Sequence, residues 1–291
     1  TSANSGAGVY NEAGTLTRDG NWIYSNSTDD WGGGVANGLL GGSATLYLTN
    51  NEIYSNDAVL IGGGIAVLGG TVVMDANAIY GNAATDVYLG LGGGIAVASG
   101  NTVIRNALIY GNSGVLGAGG IHVGGGSVDI RHATLYDNSS GIFVTEGTAA
   151  IANTLILSNT GEAIHPEASA TLTINSTDFF GNGSLSLTPS DYGSGNVTTR
   201  DPQLVSPLTY DFHLSAASPV IDNGTSFFAA TEDFDGNGRP FGGAVDRGAY
   251  EYTSSSTCYA RLNAGQVYTN VQAAVDASTR TTDVVDRKSV V

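Results

Sequence analysis

The stretch GGGIAVLGGTVVMDANAIYGN, residues 62–82, decides the fold because its pattern recurs along the chain. Apolar residues alternate with small or polar ones in three short segments, which is typical of β-strands with one buried face. Glycine and asparagine separate the segments, and both tolerate the positive φ angles that tight corners need. The phrase that ends the repeat closes on an asparagine seven times, at Asn26, Asn56, Asn82, Asn112, Asn138, Asn159 and Asn182.

The spacing of these asparagines selects one architecture. They lie 30, 26, 30, 26, 21 and 23 residues apart, and repeats of this size build stacked solenoids. The repeats show no helical spacing and no leucine ladder, which argues against a leucine-rich repeat, and they are too short for propeller blades of about 40–45 residues. The sequence therefore predicts an all-β parallel β-helix solenoid of about seven coils, with about three short strands per coil.

The composition of the chain excludes some classes of binding partner. The 291-residue chain has a net charge of −16 and a single lysine, Lys288, so it repels phosphate backbones and we expect no nucleic-acid partner. Its one cysteine, Cys258, excludes a disulfide within the chain. The chain contains no run of 18 apolar residues, so the sequence predicts no membrane span. The chain starts at a threonine without a signal peptide, and we expect a monomeric piece of a longer protein.

The organisation changes after the last repeat. We predict coils over residues 1–183, a C-terminal end of the solenoid over 184–252, and a linker, TSSST, over 253–257. Residues 258–285 have a different texture, with a short helix predicted over 271–278. The final DRKSVV, residues 286–291, is what a sequencing-adapter oligonucleotide would encode, and we interpret it as a read-through scar.

The repeats resemble the right-handed parallel β-helix, or pectin-lyase-like, superfold of bacterial surface and secreted proteins. The phrases DPQL, SPVIDNGT, DFDGNGRP and VDRGAYEY resemble the C-terminal region called choice-of-anchor Q. CYARLN followed by YTNVQAAVDAS resembles the start of a further β-helix unit, truncated here, in which Cys258 would have a disulfide partner outside this chain. The resemblance implies an extracellular or cell-surface location in a bacterium.

The superfold includes polysaccharide lyases and glycoside hydrolases, and some of its lyases use an arginine base beside bound calcium. Arg105 and Arg131 occupy similar places one coil apart, and Asp129 precedes Arg131 by two residues. They are the weak catalytic candidates; the alternative is a polar row on a solvated face. The motifs of the polygalacturonase-like hydrolases are absent.

One segment has the pattern of a metal loop. DFDGNG, residues 233–238, places Asp233, Asp235 and Asn237 at alternate positions, as in the opening of a calcium loop. The glutamate expected at the twelfth place is replaced by Ala244. Calcium is the one cofactor that the sequence suggests, and a plain turn is the alternative.

A column of aromatic residues gives the best binding hypothesis. Each follows an Ile or Leu that should point inward, so the ring should point outward. Rings stacked about 4.8 Å apart would form a platform for sugar faces, or would only stack on one another and stiffen the sheet. The members are Tyr24, Tyr54, Tyr80, Tyr110 and Tyr136.

Together these features predict a non-catalytic extracellular scaffold or adhesin that contacts carbohydrate or another cell-surface partner. The alternative is a polysaccharide-degrading lyase or hydrolase, for which a carboxylate or arginine cluster on adjacent coils is needed.

Overall fold

The computed structural model describes residues 6–38, 42–187, 198–226 and 229–253, together with the strands of a small sheet beyond residue 258. It divides into two compact units, Thr1–Glu251 and Tyr252–Val291. The helix predicted over 271–278 and most of the predicted linker lie outside the described residues.

The first unit is an all-β solenoid, as the repeats predict. Three parallel sheets of seven strands run along it, so each coil contributes one strand to each sheet and the coils form seven layers. The first sheet contains Val9–Asn11, Val35–Asn37, Ile65–Val67, Ile95–Val97, Ile121–Val123, Ile142–Val144 and Ile164–Pro166. The second contains Thr15–Asp19, Thr45–Thr49, Thr71–Asp75, Asn101–Arg105, Ser127–Arg131, Thr148–Ala152 and Thr171–Asn175. The third contains Trp22–Tyr24, Glu52–Tyr54, Ala78–Tyr80, Leu108–Tyr110, Thr134–Tyr136, Leu155–Leu157 and Asp178–Phe180.

A short fourth sheet follows the asparagine corner in four layers. Its strands are Ser27–Thr28, Asp57–Ala58, Ala83–Ala84 and Ser113–Gly114, paired in parallel. Lateral loops of different length then lead back to the first sheet. Most differences in repeat length lie in these loops, but in the second layer the extra residues lie between Val35–Asn37 and Thr45–Thr49, and the three main sheets keep their register in both cases.

The glycine triplets are required by close backbone contact. A Cβ added at Gly63 would lie 2.2 Å from the carbonyl oxygen of Ala83, so no side chain fits there without a shift. Gly62 has φ +68°, in the left-handed region that glycine tolerates best. The turn also covers Ala66, which points outward from the first sheet and is nevertheless fully buried.

A continuous apolar core fills the solenoid. Branched residues of the inward rows, such as Ile53, Ile79 and Ile109 of the third sheet, stack in register and are fully buried. Burying such a side chain contributes about 1.5–3 kcal/mol. Every coil adds to the same core, so each layer is stabilised mainly by its neighbours.

The closing asparagines form an amide ladder. In each of the six steps from Asn26 to Asn182, the side-chain Nδ2 donates to Oδ1 of the next asparagine at 2.8–3.0 Å. The same Oδ1 also accepts the backbone N–H of the previous asparagine, as at Asn56 and Asn82. Most of these amides are buried, and the ladder satisfies groups that would otherwise be costly to bury.

After the coils, the chain folds back over the third sheet. The strands Leu204–Ser206 and Asp211–Leu214 form an antiparallel pair around a single 3₁₀ turn, Pro207–Thr209. We call residues 198–226 and 229–251 the C-terminal segment.

The second unit contains a three-stranded antiparallel sheet in which Tyr259–Leu262 lies between Val267–Tyr268 and Val285–Lys288. None of the helices in the described part of the chain has the length and apolar character that a membrane crossing needs.

Candidate functional site

The tyrosine column lies on the outward face of the third sheet, in consecutive layers. The rings of Tyr24, Tyr54, Tyr80 and Tyr110 stack with centroids 4.8–5.0 Å apart and interplanar angles of 2–6°. Parallel registration of the strands fixes this spacing, because each tyrosine pairs with the next across the sheet. Such offset stacking is a favourable aromatic geometry.

Stacking changes what the column offers to a ligand. The faces of Tyr54 and Tyr80 lie against neighbouring rings, so the strip presents mainly ring edges and hydroxyl groups instead of open faces. The Tyr80 hydroxyl donates to Glu52 Oε2 at 3.0 Å, and desolvation followed by the Glu52 charge raises the pKa of Tyr80. The exposed end of the strip is in the first layer, where Trp22 is 72% exposed and Tyr24 is 51% exposed.

The prediction that Tyr136 belongs to an exposed platform is wrong. Tyr136 is only 9% exposed because Phe212 of the C-terminal segment packs on it, with ring centroids 5.2 Å apart. The ring centroid of Tyr210 lies 4.8 Å from that of Tyr110, so the open part of the column ends at Tyr110. The accessible strip therefore runs from Trp22 to Tyr80, with Tyr110 at its covered border.

Hydrogen bonds fix the C-terminal segment to the later layers. The Ala249 N–H donates to Thr134 Oγ1 at 3.1 Å, and the Gly248 N–H donates to the Asn153 carbonyl at 2.8 Å. The Asn153 side chain also exchanges two hydrogen bonds with the backbone of Thr225, at 2.8 and 2.9 Å. The outer face of the third sheet is thus open in the early layers and covered in the later ones.

The segment is held in shape by a buried ion pair. Arg239 Nη1 lies 2.7 Å from Glu251 Oε2, and both side chains are fully buried. The guanidinium also donates to the carbonyl oxygens of Gly248 and Ala249. Burial lowers the pKa of Arg239, although the charge of Glu251 opposes this effect. The DFDGNGRP and VDRGAYEY phrases thus meet in one structural network.

Asp233 of the predicted calcium loop serves as an internal turn acceptor. Its two carboxylate oxygens accept from the backbone N–H groups of Asp235, Asn237 and Glu251 and from the Asn237 side chain, at 2.7–3.0 Å. Asp235 Oδ2 binds His213 Nε2 at 2.9 Å. Among the described residues, no group of three or more His, Cys, Asp or Glu side chains could hold a metal ion. These N–H groups occupy oxygens that a calcium ion would need, so the geometry favours the plain turn.

The catalytic candidates lie together on the outward face of the second sheet. Arg105 and Arg131 are paired in register in adjacent layers, and Asp129 lies on the same strand as Arg131. Arg131 Nε donates to Asp129 Oδ1 at 2.8 Å, and a second contact joins Nη2 to Oδ2. This hydrogen bonding raises the pKa of Arg131. A base must lose its proton, so the pair opposes the role that Arg131 would have in a lyase.

Sequence reasoning missed a lateral groove beside the first sheet in the sixth and seventh layers. The groove has a volume of about 310 Å³, and its lining includes Leu116, Ser140, Phe143, Glu162 and His165. The spacing of the four histidines of the chain, of which His165 is one, indicates no metal site. The available signal was that SSGIF and GEAIH, residues 139–143 and 161–165, depart from the GGGIA pattern of the earlier layers.

Comparison with known proteins identifies the fold family. No curated protein matches the chain. The profile of a family described as "right handed beta helix region" matches residues 33–204, which is more than half of the chain. These residues contain layers two to seven and the start of the C-terminal segment. The chain belongs to the right-handed β-helix family.

Proposed function

We propose that the protein is a non-catalytic scaffold, displayed outside a bacterial cell, that contacts carbohydrate through the outer face of its third sheet. The observation that carries the proposal is the continuity of the solenoid. One amide ladder and one apolar core run through the layers without a break. Such a rod holds its outer rows at fixed spacing, which suits a spacer or an adhesin.

The exposed end of the aromatic strip supports the carbohydrate contact. Trp22 and Tyr24 present large apolar surfaces with polar edges in one layer, and the hydroxyl groups of Tyr54 and Tyr80 continue the strip. Aromatic rings with a polar handle suit a ligand that is apolar on one face and polar at its rim. Tyr136 takes no part, because it is covered.

The surface location rests on the sequence. The C-terminal phrases resemble the choice-of-anchor Q region, and the pectin-lyase-like superfold is common among secreted proteins. The buried network around Arg239 and Glu251 gives those phrases a structural role in docking the C-terminal segment.

A polysaccharide-degrading enzyme is the alternative. The ion pair between Arg131 and Asp129 and the raised pKa of Arg131 weigh against its predicted arginine base.

A polysaccharide panel tests the two functions with the full chain. The chain has two tryptophans, so a Trp31→Phe variant leaves Trp22 as the only tryptophan reporter of binding. We expect saturable fluorescence changes without release of reducing ends or unsaturated products. Trp22→Ala with Tyr24→Ala removes the reporter, so its binding is followed by calorimetry, and it should be abolished. Tyr136→Phe in the Trp31→Phe background keeps the covered ring and should not change the fluorescence response. Product release would overturn the scaffold, and its loss on calcium chelation would favour a lyase.

A further inference from the structure

The lateral groove arises where the repeat changes. In layers two to four, three glycines precede the first-sheet strand, as at 62–64, and its outward residue is an alanine such as Ala66. In the sixth layer these places hold Ser139-Ser140-Gly141 and Phe143. In the seventh they hold Gly161-Glu162-Ala163 and His165. The earlier layers thus show which residues the repeat normally carries at these places. The sixth and seventh layers carry larger side chains there, and these cluster in one place.

The loop lengths create the space for these side chains. The run between Asn82 and Ile95 spans residues 83–94, whereas the run between Asn138 and Ile142 spans only 139–141. Without a lateral loop above it, the first sheet is left open in its last layers. Leu116, from the preceding loop, forms one wall of the groove. Departures from a local rule that all meet in one cavity are expected at functional sites.

The groove contains one carboxylate, Glu162, and one buried hydroxyl, Ser140, without a partner in the described part of the chain. Glu162 accepts from the Ser186 hydroxyl at 2.8 Å through Oε1, and its Oε2 contacts His165 Nδ1. Ser140 is only 7% exposed, and its hydroxyl has no hydrogen-bond partner among the described residues. A buried hydroxyl without a partner is costly, and a ligand that hydrogen-bonds to it would remove that cost.

The apolar wall and the charge specify the ligand further. Leu116 and Phe143 also line the groove and give it an apolar surface. Glu167 Oε1 lies 3.7 Å from His165 Nε2 and adds a second carboxylate at the margin. The chain carries a net charge of −16, which attracts cations and repels anions.

We propose that this groove binds a primary ammonium group carried on a short apolar chain. The ammonium would donate to Glu162 and to the Ser140 hydroxyl, and its apolar part would pack on Phe143 and Leu116. An aromatic ring beside a desolvated cation adds a cation–π contribution. A free alkyl or aryl amine and the lysine side chain of a partner protein share this chemistry.

Calorimetric titration of the full chain with benzylammonium tests the site, with benzyl alcohol as a neutral ligand of similar shape. We expect saturable binding of the ammonium and none of the alcohol. Glu162→Gln keeps the carbonyl acceptor for Ser186 and removes the charge, and it should weaken binding at least tenfold. Glu146→Gln removes an exposed carboxylate of the sixth layer and should leave binding unchanged. Equal binding of the alcohol, or unchanged affinity in Glu162→Gln, would overturn the proposal.

Two reversions to the repeat pattern keep the test independent of folding. Phe143→Ala and Ser140→Gly install residues that earlier layers carry at the same places, and both should weaken binding while the circular dichroism spectrum stays unchanged. Folded reversion variants that retain full affinity would contradict the site.

A lysine-containing peptide and its acetylated form distinguish the sources. Tighter binding of the lysine peptide than of benzylammonium indicates a protein partner, and the reverse order indicates a free amine. Equal binding of the acetylated peptide would overturn the ammonium proposal.

Discussion

Layers two to four and layers five to seven share one three-sheet frame but differ on the outside. In the early layers the three-glycine turn is uniform, the first-sheet alanines are covered by backbone, and the tyrosine column is accessible as far as Tyr80. In the later layers Ser140 and Glu162 replace glycines, and the C-terminal segment covers the third sheet. The comparison teaches that the inward rows and the asparagine ladder specify the fold, whereas the outer rows and lateral loops are free to diversify.

The largest expected effect comes from breaking the ion pair that holds the covering segment. Arg239→Met leaves the Glu251 carboxylate buried without its cation, which should cost about 3–5 kcal/mol in the free energy of unfolding. Hydrogen exchange should rise across 198–226 and 229–251, while the strands of layers two to four stay protected. Equal loss of protection in both regions would show that the segment and the coils unfold together.

A smaller effect should follow from interrupting the asparagine ladder. Asn82→Ala leaves the Asn56 Nδ2 and backbone N–H without their acceptor and the Ile53 carbonyl without a donor, all within a buried corner. The free energy of unfolding should fall by about 1–3 kcal/mol, which is the cost of leaving a buried polar group without a hydrogen-bond partner. Urea unfolding measures this loss.

Asn182→Ala is the matched change at the last rung. Asn182 is only partly buried, so water can replace some of its bonds and the cost should be lower. A larger loss at Asn182 than at Asn82 would contradict the role of burial.

Substitutions at equivalent positions of the glycine turn compare how tightly the two regions are packed. Gly63→Ser places a Cβ against the Ala83 carbonyl and should cost about 1–3 kcal/mol through overpacking. Ser140→Gly at the equivalent place should cost less than about 1 kcal/mol, mainly through backbone entropy. Thermal unfolding of the two variants checks this, and equal losses would argue that the later layers are packed as tightly as the early ones.

The smallest effect concerns pH. His213 lies between Asp211 and Asp235; burial alone would lower its pKa, but the two carboxylates outweigh burial and raise it. A raised pKa in the folded state stabilises the fold fully below the ordinary histidine pKa of about 6.5, and this contribution is lost as the pH rises through the folded pKa.

The difference in melting temperature between the native chain and His213→Gln should therefore be greatest near pH 5.5 and should shrink above pH 7. The difference is measured because two other histidines affect stability in the opposite direction. Burial lowers the pKa of His132 and lowers that of His122 to about 4, so their contribution to stability increases with pH, and it does so equally in both proteins. A difference that grows with pH would refute the assignment.

The sequence was sufficient for features that repeat. The recurrence of GGGIA and of the closing asparagines predicts the layers, because parallel stacking brings equivalent residues together. The outward direction of the tyrosines follows from the inward isoleucines, as at Ile53 and Tyr54. Local alternation and spacing contain this information.

Features without a period could not be predicted in the same way. Phe212 covers Tyr136 across 76 residues of sequence, and no local pattern indicates which sheet a returning segment will cover. The DFDGNG phrase is compatible with a calcium loop or a turn, and the Glu251 N–H, distant in sequence, favours the turn by occupying Asp233. The lateral groove could have been predicted from the repeat itself, by asking which layers depart from it.

The amide ladder has a consequence for how such a chain can change over generations. Each rung makes the same bonds whether 26 or 30 residues separate it from the next, because the extra residues lie in loops between the strands. Duplication or deletion of one complete coil would therefore leave every remaining amide with a neighbour. Insertion of a single residue within a strand would shift its side chains to the opposite face. The length of this solenoid can therefore change by whole coils, whereas new sequence is accommodated in the loops.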